Sequence, residues 1–387
     1  MSYSLNSDQK QIQDLVRRVA RERVAPRAAD IDRTAEYPQD MFDLLKELGL
    51  FSLPFPVEYG GTASLLSGCV AVEELGRVCY NTAYLLVVQW ATFGAILGGG
   101  SPEQKKRWLS ALSSGEARGA LSLTESQSGS DVSGIKTTAR RTAKGYTING
   151  AKIWCTNSHI ADFILVGAKT LDESGAAKGI NLFIVERGTK GLTIGEPEDK
   201  MGARGVPSCP LFFDEMHVPV EARLGPDDGT GFKLAMSMLN TTRPVVGARS
   251  VGLAQGAIDH CLDFLADRRA FGRHIKDFQG MRWMLADMDM RTEVARQIVY
   301  AAASRADEGI KGKEFARIAS MAKCFASDVG MEVATQAMQI FGAAGISSDY
   351  PINRYFRDAK VVQIVEGTNQ IQRNIIADVL LGSATQR

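Results

Sequence analysis

The spacing of apolar positions divides the chain into three textures. Up to about residue 118 apolar residues recur at intervals of three and four, the period of a half-buried helix. Ile12, Leu15, Val16 and Val19 share one such face, Ser7-Asp8 can cap it, and Pro26 falls near its end. Met41, Leu44, Leu45 and Leu48 repeat the pattern until Gly49 stops it. Apolar runs at 71–78 and 83–97 follow. Ser101-Pro102-Glu103 then opens a helix through Trp108 and Leu112, with proline at the first helical position. Residues 54–67, with Gly60-Gly61, read as a loop.

From 119 the period shortens to two and turn residues multiply. Lys144-Gly145 precedes Tyr146-Thr147-Ile148, Asn149-Gly150 is a hairpin signal, and Ile153-Trp154-Cys155 resumes the strand. Short strands at 163–166, 180–185, 192–194 and 211–213 are separated by Gly, Asp or Pro, a spacing that predicts a small antiparallel barrel or sandwich and not βαβ units. Helix returns at Gly231, where Phe232, Ala235, Met236 and Leu239 begin a face. Amphipathic stretches then run over 245–268, 281–306, 315–341 and 371–381. The expected fold is α+β, with an N-terminal helical domain (1–118), a central small antiparallel β-barrel or sandwich (119–228) and a C-terminal four-helix-bundle-like domain (229–387).

Composition narrows the function. A length of 387 residues exceeds what one core fills, consistent with several domains. Lys+Arg 45 against Asp+Glu 44 leaves a net charge of +1, without the basic excess of a nucleic-acid binder. Six scattered cysteines (Cys69, Cys79, Cys155, Cys209, Cys261, Cys324) form no CxxC pair and no cluster with histidine, which argues against a disulfide scaffold or zinc site. The first residues alternate acids with bases and lack an apolar h-region. The run at 83–97 is interrupted by Gln89, Thr92 and Gly94 and is short for a bilayer span. The expectation is a soluble cytoplasmic protein with no membrane or nucleic-acid partner.

Phosphate-loop, dinucleotide, zincin, nucleophile-elbow and EF-hand motifs are all absent from the sequence. Four loci carry chemistry instead. LSLTESQSGSD at 121–131 offers Thr124, Ser126, Ser128 and Ser130 around Gly129: a polar ligand loop, or simply a capped surface loop. In KIWCTN at 152–157, Trp154 and Thr156 can give a stacking face and a donor, or Trp154 can be core. RRAFG at 268–272, with Gln279, is a basic turn between helices, suited to anions or merely a charged helix end. In EGTNQ at 366–370, Glu366 follows an apolar run and precedes a glycine. It can be a helix-start carboxylate or a desolvated base that a ligand approaches closely.

In order along the chain these segments, with MGARGVPS at 201–208, TTRPVVGARSVGLAQGAIDHCLDFLADRRAFGR at 241–273, QIFGAAG at 339–345 and IVEGTNQIQR at 364–373, resemble the acyl-CoA dehydrogenase family over essentially the whole chain. Departures are few. Ser126-Gln127 stands where relatives carry Pro-Gly or Pro-Glu, Ala343 replaces a turn glycine, and Asn240 stands where an acid is frequent.

The resemblance implies FAD as cofactor. Leu121, Leu123, Thr124, Gly129 and Ser130 would line the flavin, Trp154 would stack on it beside Cys155, and Thr156 would donate near N5. Arg268, Ala270, Phe271, Phe278 and Gln279, with Gln339, Gly342 and Ala343, would hold the pyrophosphate and adenosine of a neighbouring subunit's FAD, and Thr368 and Gln370 would complete the cofactor site. Ser130, Asn240, Arg243 and Gly367 would meet the acyl thioester. Glu366 would be the base. It would take the α-proton while the β-hydrogen leaves as hydride, with the thioester carbonyl bonded by the Glu366 backbone N–H and the flavin ribityl hydroxyl. The product is a trans-2-enoyl thioester. A homotetramer with an electron-transfer flavoprotein as acceptor is implied. A short or branched acyl group is expected from Trp90, which would shorten the cavity or else simply pack in the helical core, and from Val365, where an aromatic is common. Alternatives on the same fold are an acyl-CoA oxidase and a dehydrogenase of carrier-protein-bound acyl or prolyl thioesters. A desulfinase would usually lack the glutamate, and a non-enzymatic thioester- or flavin-binding protein would not need it.

Overall fold

The computed structural model describes residues 4–225 and 229–382. The expected boundary at 228 falls on residues 226–228, outside the described residues. The first domain comprises α1 (Ser7–Val19), α2 (Ala28–Thr34), α3 (Gln39–Glu47), α4 (Leu65–Gly76), α5 (Tyr80–Gln89), α6 (Phe93–Gly99) and α7 (Pro102–Ser114). Asn6, not Ser7, caps α1: its side chain accepts from the Gln9 backbone and Gln9 bonds back, closing a capping box. Ser101 with Gln104 builds the same box on α7, with Pro102 in its first turn. Every residue of α4 and α5 is buried. The stretch Tyr80–Gly99 has the length and apolarity of a membrane span, but most of it is packed inside the domain and it is broken between α5 and α6.

The middle domain holds β1 (Gly119–Ser122), β2 (Thr138–Thr142), β3 (Gly145–Thr156), β4 (Phe163–Leu171), β5 (Ala177–Glu186), β6 (Leu192–Ile194) and β7 (Ser208–Val218), seven strands of one sheet. Two pairings differ from the expected antiparallel set. β1 and β2 both run parallel to β4, sharing one of its edges, while β5 lies antiparallel on the other. Asn149-Gly150 is also not a turn. The hairpin closes at Ala143-Lys144, between the Thr142–Gly145 pair, and β3 runs straight through position 150 with a register shift. Gly150 sits at φ +145, where a Cβ would fall 2.7 Å from the Thr137 Cα, so glycine is required by a bulge and a close approach. Alternate residues of β4 and β5 serve two cores: Ile164, Val166, Phe183 and Val185 pack within the sheet domain, while Phe163, Leu165, Leu182 and Ile184 join the helical core.

The last domain contains α8 (Gly231–Asp267), the short strands β8 (Arg269–Ala270) and β9 (Arg273–His274), α9 (Gln279–Asp307), α10 (Gly312–Phe341), α11 (Ala343–Ile346), α12 (Ile352–Val362) and α13 (Asn369–Leu381). The long α8, 37 residues, passes unbroken through Pro244, so the two expected segments are one helix. Proline there removes a single N–H, the donor that would bond the Asn240 carbonyl. Gly252 and Gly256 let α8 lie directly on α4 and the residues after it. A Cβ on Gly252 would fall 2.2 Å from the Glu73 carbonyl oxygen, and one on Gly256 1.9 Å from that of Arg77.

Candidate active site

The polar loop after β1 is stitched to β3. The Ile153 N–H donates to the Thr124 carbonyl at 3.0 Å, and Lys152 Nζ donates to the Leu123 carbonyl at 3.0 Å and to Glu125 Oε1 at 2.8 Å. This ion pair is buried, with side-chain exposures of 0% and 4%. Burial pushes the Glu125 carboxyl up, but bonds from Lys152, Thr137 and the Lys136 backbone outweigh it and bring it down to about 2. The loop therefore presents Thr124, Gly129 and Ser130 beside β3 on a rigid support.

Trp154 is not core. It lies at a register shift in β3 with φ +59, a left-handed backbone rare for an aromatic, and its side chain is 49% exposed. Its neighbour Cys155 points the other way. The thiol is fully buried 3.5 Å from the Leu121 carbonyl and burial pushes it up to about 12, so its place among cofactor contacts does not extend to its side chain. Leu123 likewise turns into the helical core. Thr156 shares a 3.0 Å hydrogen bond with Ser208 of β7. An exposed indole, hydroxyls and a bare glycine loop at the C-terminal ends of β1 and β3 are a donor and stacking set that fits a flavin ring.

Segment 201–208 carries the connection to the last domain. The Ala203 N–H donates to Asp358 of α12 at 2.7 Å, Arg357 Nη1 donates to the Met201 carbonyl at 2.7 Å, and the Gly205 N–H donates to Asn81 of α5 at 3.0 Å. Asp358 is buried, which pushes its carboxyl up to about 7. α12 is thereby fixed against the sheet domain, and it delivers the chain to Glu366.

Glu366 and Gly367 are both left-handed, at φ +59 and +86. For a glutamate this is a strained backbone, and its surroundings hold it there. Gln372 Nε2 donates to the carbonyls of Glu366 (3.2 Å) and Gly367 (2.9 Å), and Lys323 Nζ of α10 donates to the Gly367 carbonyl (2.8 Å) and Asn369 Oδ1 (2.9 Å). Thr368 caps α13 through a 3.3 Å bond from the Ile371 N–H. The Glu366 carboxylate accepts from Thr242 Oγ1 of α8 at 3.0 Å. Burial raises the carboxyl above its ordinary range, while the Thr242 hydroxyl and the charges of Arg249, Arg243 and Lys323 oppose that rise. Burial also lowers Lys323 to about 7 and Arg243 to about 10. Arg243 is buried in the same place, bonded to Asn240 Oδ1 and to Ser320 Oγ.

The structure thus brings Glu366, Gly367, Asn240 and Arg243 together, and separately joins Thr124 to the end of β3 that carries Trp154 and Thr156, with Ser130 exposed further along the same loop. Arg268, Ala270, Phe271, Phe278 and Gln279 form a hairpin and helix start at the end of α8. Its turn residues Phe271 and Gly272 have φ +51 and +76, and Phe271 is 94% exposed. Phe264 stacks on Phe341 at 4.2 Å, setting the Gln339, Gly342 and Ala343 turn beside that end of α8. Gln370 is exposed on α13. Thr242, Lys323 and Gln372 escaped the sequence reading. The buried lysine in the apolar face of α10 was the available signal. Trp90 follows the core alternative: its indole packs on Gly68 and donates to the Phe51 carbonyl at 2.8 Å, inside the first domain's core.

Residues 6–116, 120–216 and 229–381 match, respectively, the N-terminal, middle and C-terminal domains of acyl-CoA dehydrogenase. A probable acyl-CoA dehydrogenase of Mycobacterium leprae (strain TN) is 41% identical over 381 residues, covering 98% of this chain and 97% of its own. Butyryl-CoA dehydrogenase from Megasphaera elsdenii superposes with a TM-score of 0.93 at 38% identity, covering 98% of this chain and all of that one. A chain from structural work on the electron transferring flavoprotein of Acidaminococcus fermentans has the same TM-score at 40% identity, covering 98% and 100%. The chain belongs to the acyl-CoA dehydrogenase family, FAD-dependent oxidoreductases acting on acyl-CoA.

Proposed function

We propose that the enzyme removes the α- and β-hydrogens of a short or branched acyl-CoA, giving a trans-2-enoyl-CoA, with Glu366 as base. The observation that carries this reading is the Glu366 carboxylate itself: desolvated, strained into a left-handed conformation, and aimed by Thr242 and the clamped carbonyls of its own loop. An α-proton beside a thioester is a weak acid, so a base of raised pKa is better matched to it than an exposed carboxylate. Asn240 and Arg243 bound the same space, and a ligand closing it excludes water and raises the carboxyl further. FAD, when bound against Trp154, Thr124 and Thr156, supplies the acceptor for the β-hydride.

Support for a short acyl group comes from α8. Two turns beyond Thr242, on the same helix face, the path is filled by Arg249 and by Tyr80 and Tyr84 of α5, with ring centroids 4.4 and 3.8 Å from the guanidinium carbon. Val365, where the resemblance expects an aromatic, would leave room beside the thioester for a branch. The exposed Phe271 hairpin supports a homotetramer in which Arg268 and Gln279 reach a partner's FAD, and an electron-transfer flavoprotein is the proposed acceptor, in the cytoplasm. Anaerobic bleaching of the bound flavin across linear and branched acyl-CoAs tests the substrate claim. Butyryl- to hexanoyl-CoA and branched chains should react with higher specificity constants than dodecanoyl-CoA. The reverse order would defeat it.

A further inference from the structure

Arg249 lies in the middle of α8 with 0% exposure. Its Nε, Nη1 and Nη2 are all buried and none has a hydrogen-bond partner. A guanidinium carries five N–H donors and keeps its proton, so it cannot relieve burial by neutralising. Its contacts are the ring faces of Tyr80 and Tyr84, at 4.4 and 3.8 Å. Ring faces answer the charge in part but leave the N–H edge of the fork without acceptors. Beside it the Tyr80 hydroxyl is also buried and unpartnered. Two unsatisfied donor groups therefore sit side by side in a packed interior, where such groups normally find acceptors.

Their position relative to the base gives this meaning. Thr242 and Arg249 are two turns apart and share a face of α8. Thr242 bonds the Glu366 carboxylate, and helix side chains lean towards the N-terminus, so the guanidinium leans towards Glu366. The charge of Arg249 is among those felt by the Glu366 carboxyl. Glu366 nevertheless bonds Thr242, and no ion pair to Arg249 is formed. No protein acceptor answers the fork, and a ligand that starts at Glu366 and runs along α8 would bring one.

We propose that the acyl group carries a carboxylate at its far end, which the Arg249 fork and the Tyr80 hydroxyl receive: the substrate is the monothioester of a short dicarboxylic acid. This rests on the reading of Glu366 as the base of an acyl-CoA dehydrogenase. Two helical turns measure about 10 Å, and the side chain leans back over part of that distance. An extended chain advances roughly 1.2 Å per bond, so acids of four to six carbons span the gap. The carboxylate enters by turning the Tyr84 ring off the guanidinium, exchanging a cation–π contact for a charge-assisted hydrogen-bonded pair. It takes no part in the chemistry, in which Glu366 takes the α-proton and FAD, when bound, would supply the acceptor for the β-hydride.

The test uses the FAD-loaded enzyme and matched pairs: succinyl- against butyryl-CoA, glutaryl- against pentanoyl-CoA, adipyl- against hexanoyl-CoA. In at least one pair the diacid should have a specificity constant tenfold or more above its partner. Arg249→Leu should reduce that diacid-to-monoacid ratio by a hundredfold or more, and Arg249→Lys should restore part of it. Ordinary turnover of the monoacids with no diacid preference in the wild type overturns the proposal and leaves the dehydrogenase reading intact. Failure of every thioester to bleach a bound flavin overturns that reading, and the proposal with it. A ratio unchanged in Arg249→Leu also overturns the proposal. Should Arg249→Leu not fold, the wild-type pairs decide.

Discussion

Replacing Thr242 by valine removes one hydroxyl from the site and little else. Valine has the same shape and the same β-branching within α8. The hydroxyl donates to Glu366 Oε2 at 3.0 Å, and it also lies 3.2 Å from the Leu239 carbonyl. It has one proton, so it serves the carboxylate when Glu366 is ionised and the carbonyl when Glu366 is neutral. A hydrogen bond to a charged group is worth about 1.5–3 kcal/mol, and one pKa unit corresponds to about 1.4 kcal/mol. The return to Leu239 offsets part of the loss, which leaves a rise of about one unit in the Glu366 pKa. Glu366 acts when deprotonated, so the acid limb of kcat/KM should move to higher pH by about one unit, with FAD content unchanged. The assay is anaerobic flavin bleaching by butyryl-CoA at subsaturating concentration, followed across pH. An acid limb that stays in place, or moves to lower pH, refutes the assignment of Thr242 to the ionised base.

Two other perturbations test the supports of the site. Lys152→Met leaves Glu125 buried without its cation and should lower stability by about 3–5 kcal/mol, measured by thermal unfolding. Lys152→Met combined with Glu125→Gln should recover most of that loss, and an unchanged melting temperature in the single variant would contradict the account of this pair. Because Glu125 is held at about 2 in the folded protein against an ordinary 4.5, its contribution is complete above pH 4.5 and is lost as pH falls towards 2. The wild type's advantage over the double variant should shrink only in that window. Arg268→Ala should weaken FAD retention, read as a fall in flavin absorbance after gel filtration, while light scattering reports the same mass as for the wild type. Retention equal to the wild type would remove Arg268 from the partner's cofactor site.

The long helices and the start of α7 were legible to within a few residues, since periodicity and Ser/Pro/Gly signals act locally, whereas α2 and α12 were not read as helices and α4 begins at Leu65, inside the expected loop. Asn149-Gly150 misled for a specific reason: the pair that favours a two-residue turn also suits a bulge, and only the approach of Thr137 selects between them. The parallel placement of β1 and β2 on one edge of β4 depends on tertiary contacts that no local pattern encodes. In the site, Glu366, Trp154 and the loop at 121–131 stood out because unusual residue types sit beside glycine or hydroxyls. Trp154 and Trp90 look alike in sequence, yet a register shift exposes one and a buried Phe51 carbonyl holds the other. Thr242 and Lys323 act through bonds to residues distant along the chain, Gln372 through bonds back to the loop just before its own helix, and Arg249 is distinguished by acceptors it lacks. Features of that kind become visible only when the helices are assembled.

The most direct test of the central claim is the rate of anaerobic flavin bleaching in Glu366→Gln. Glutamine keeps the size of the side chain and a carbonyl oxygen to accept from Thr242, but it cannot take a proton. A positioned general base contributes about 10²–10⁴-fold, and the account predicts a loss of that order with FAD and acyl-CoA binding retained. A Glu366→Gln enzyme that binds both and bleaches at the wild-type rate would contradict it.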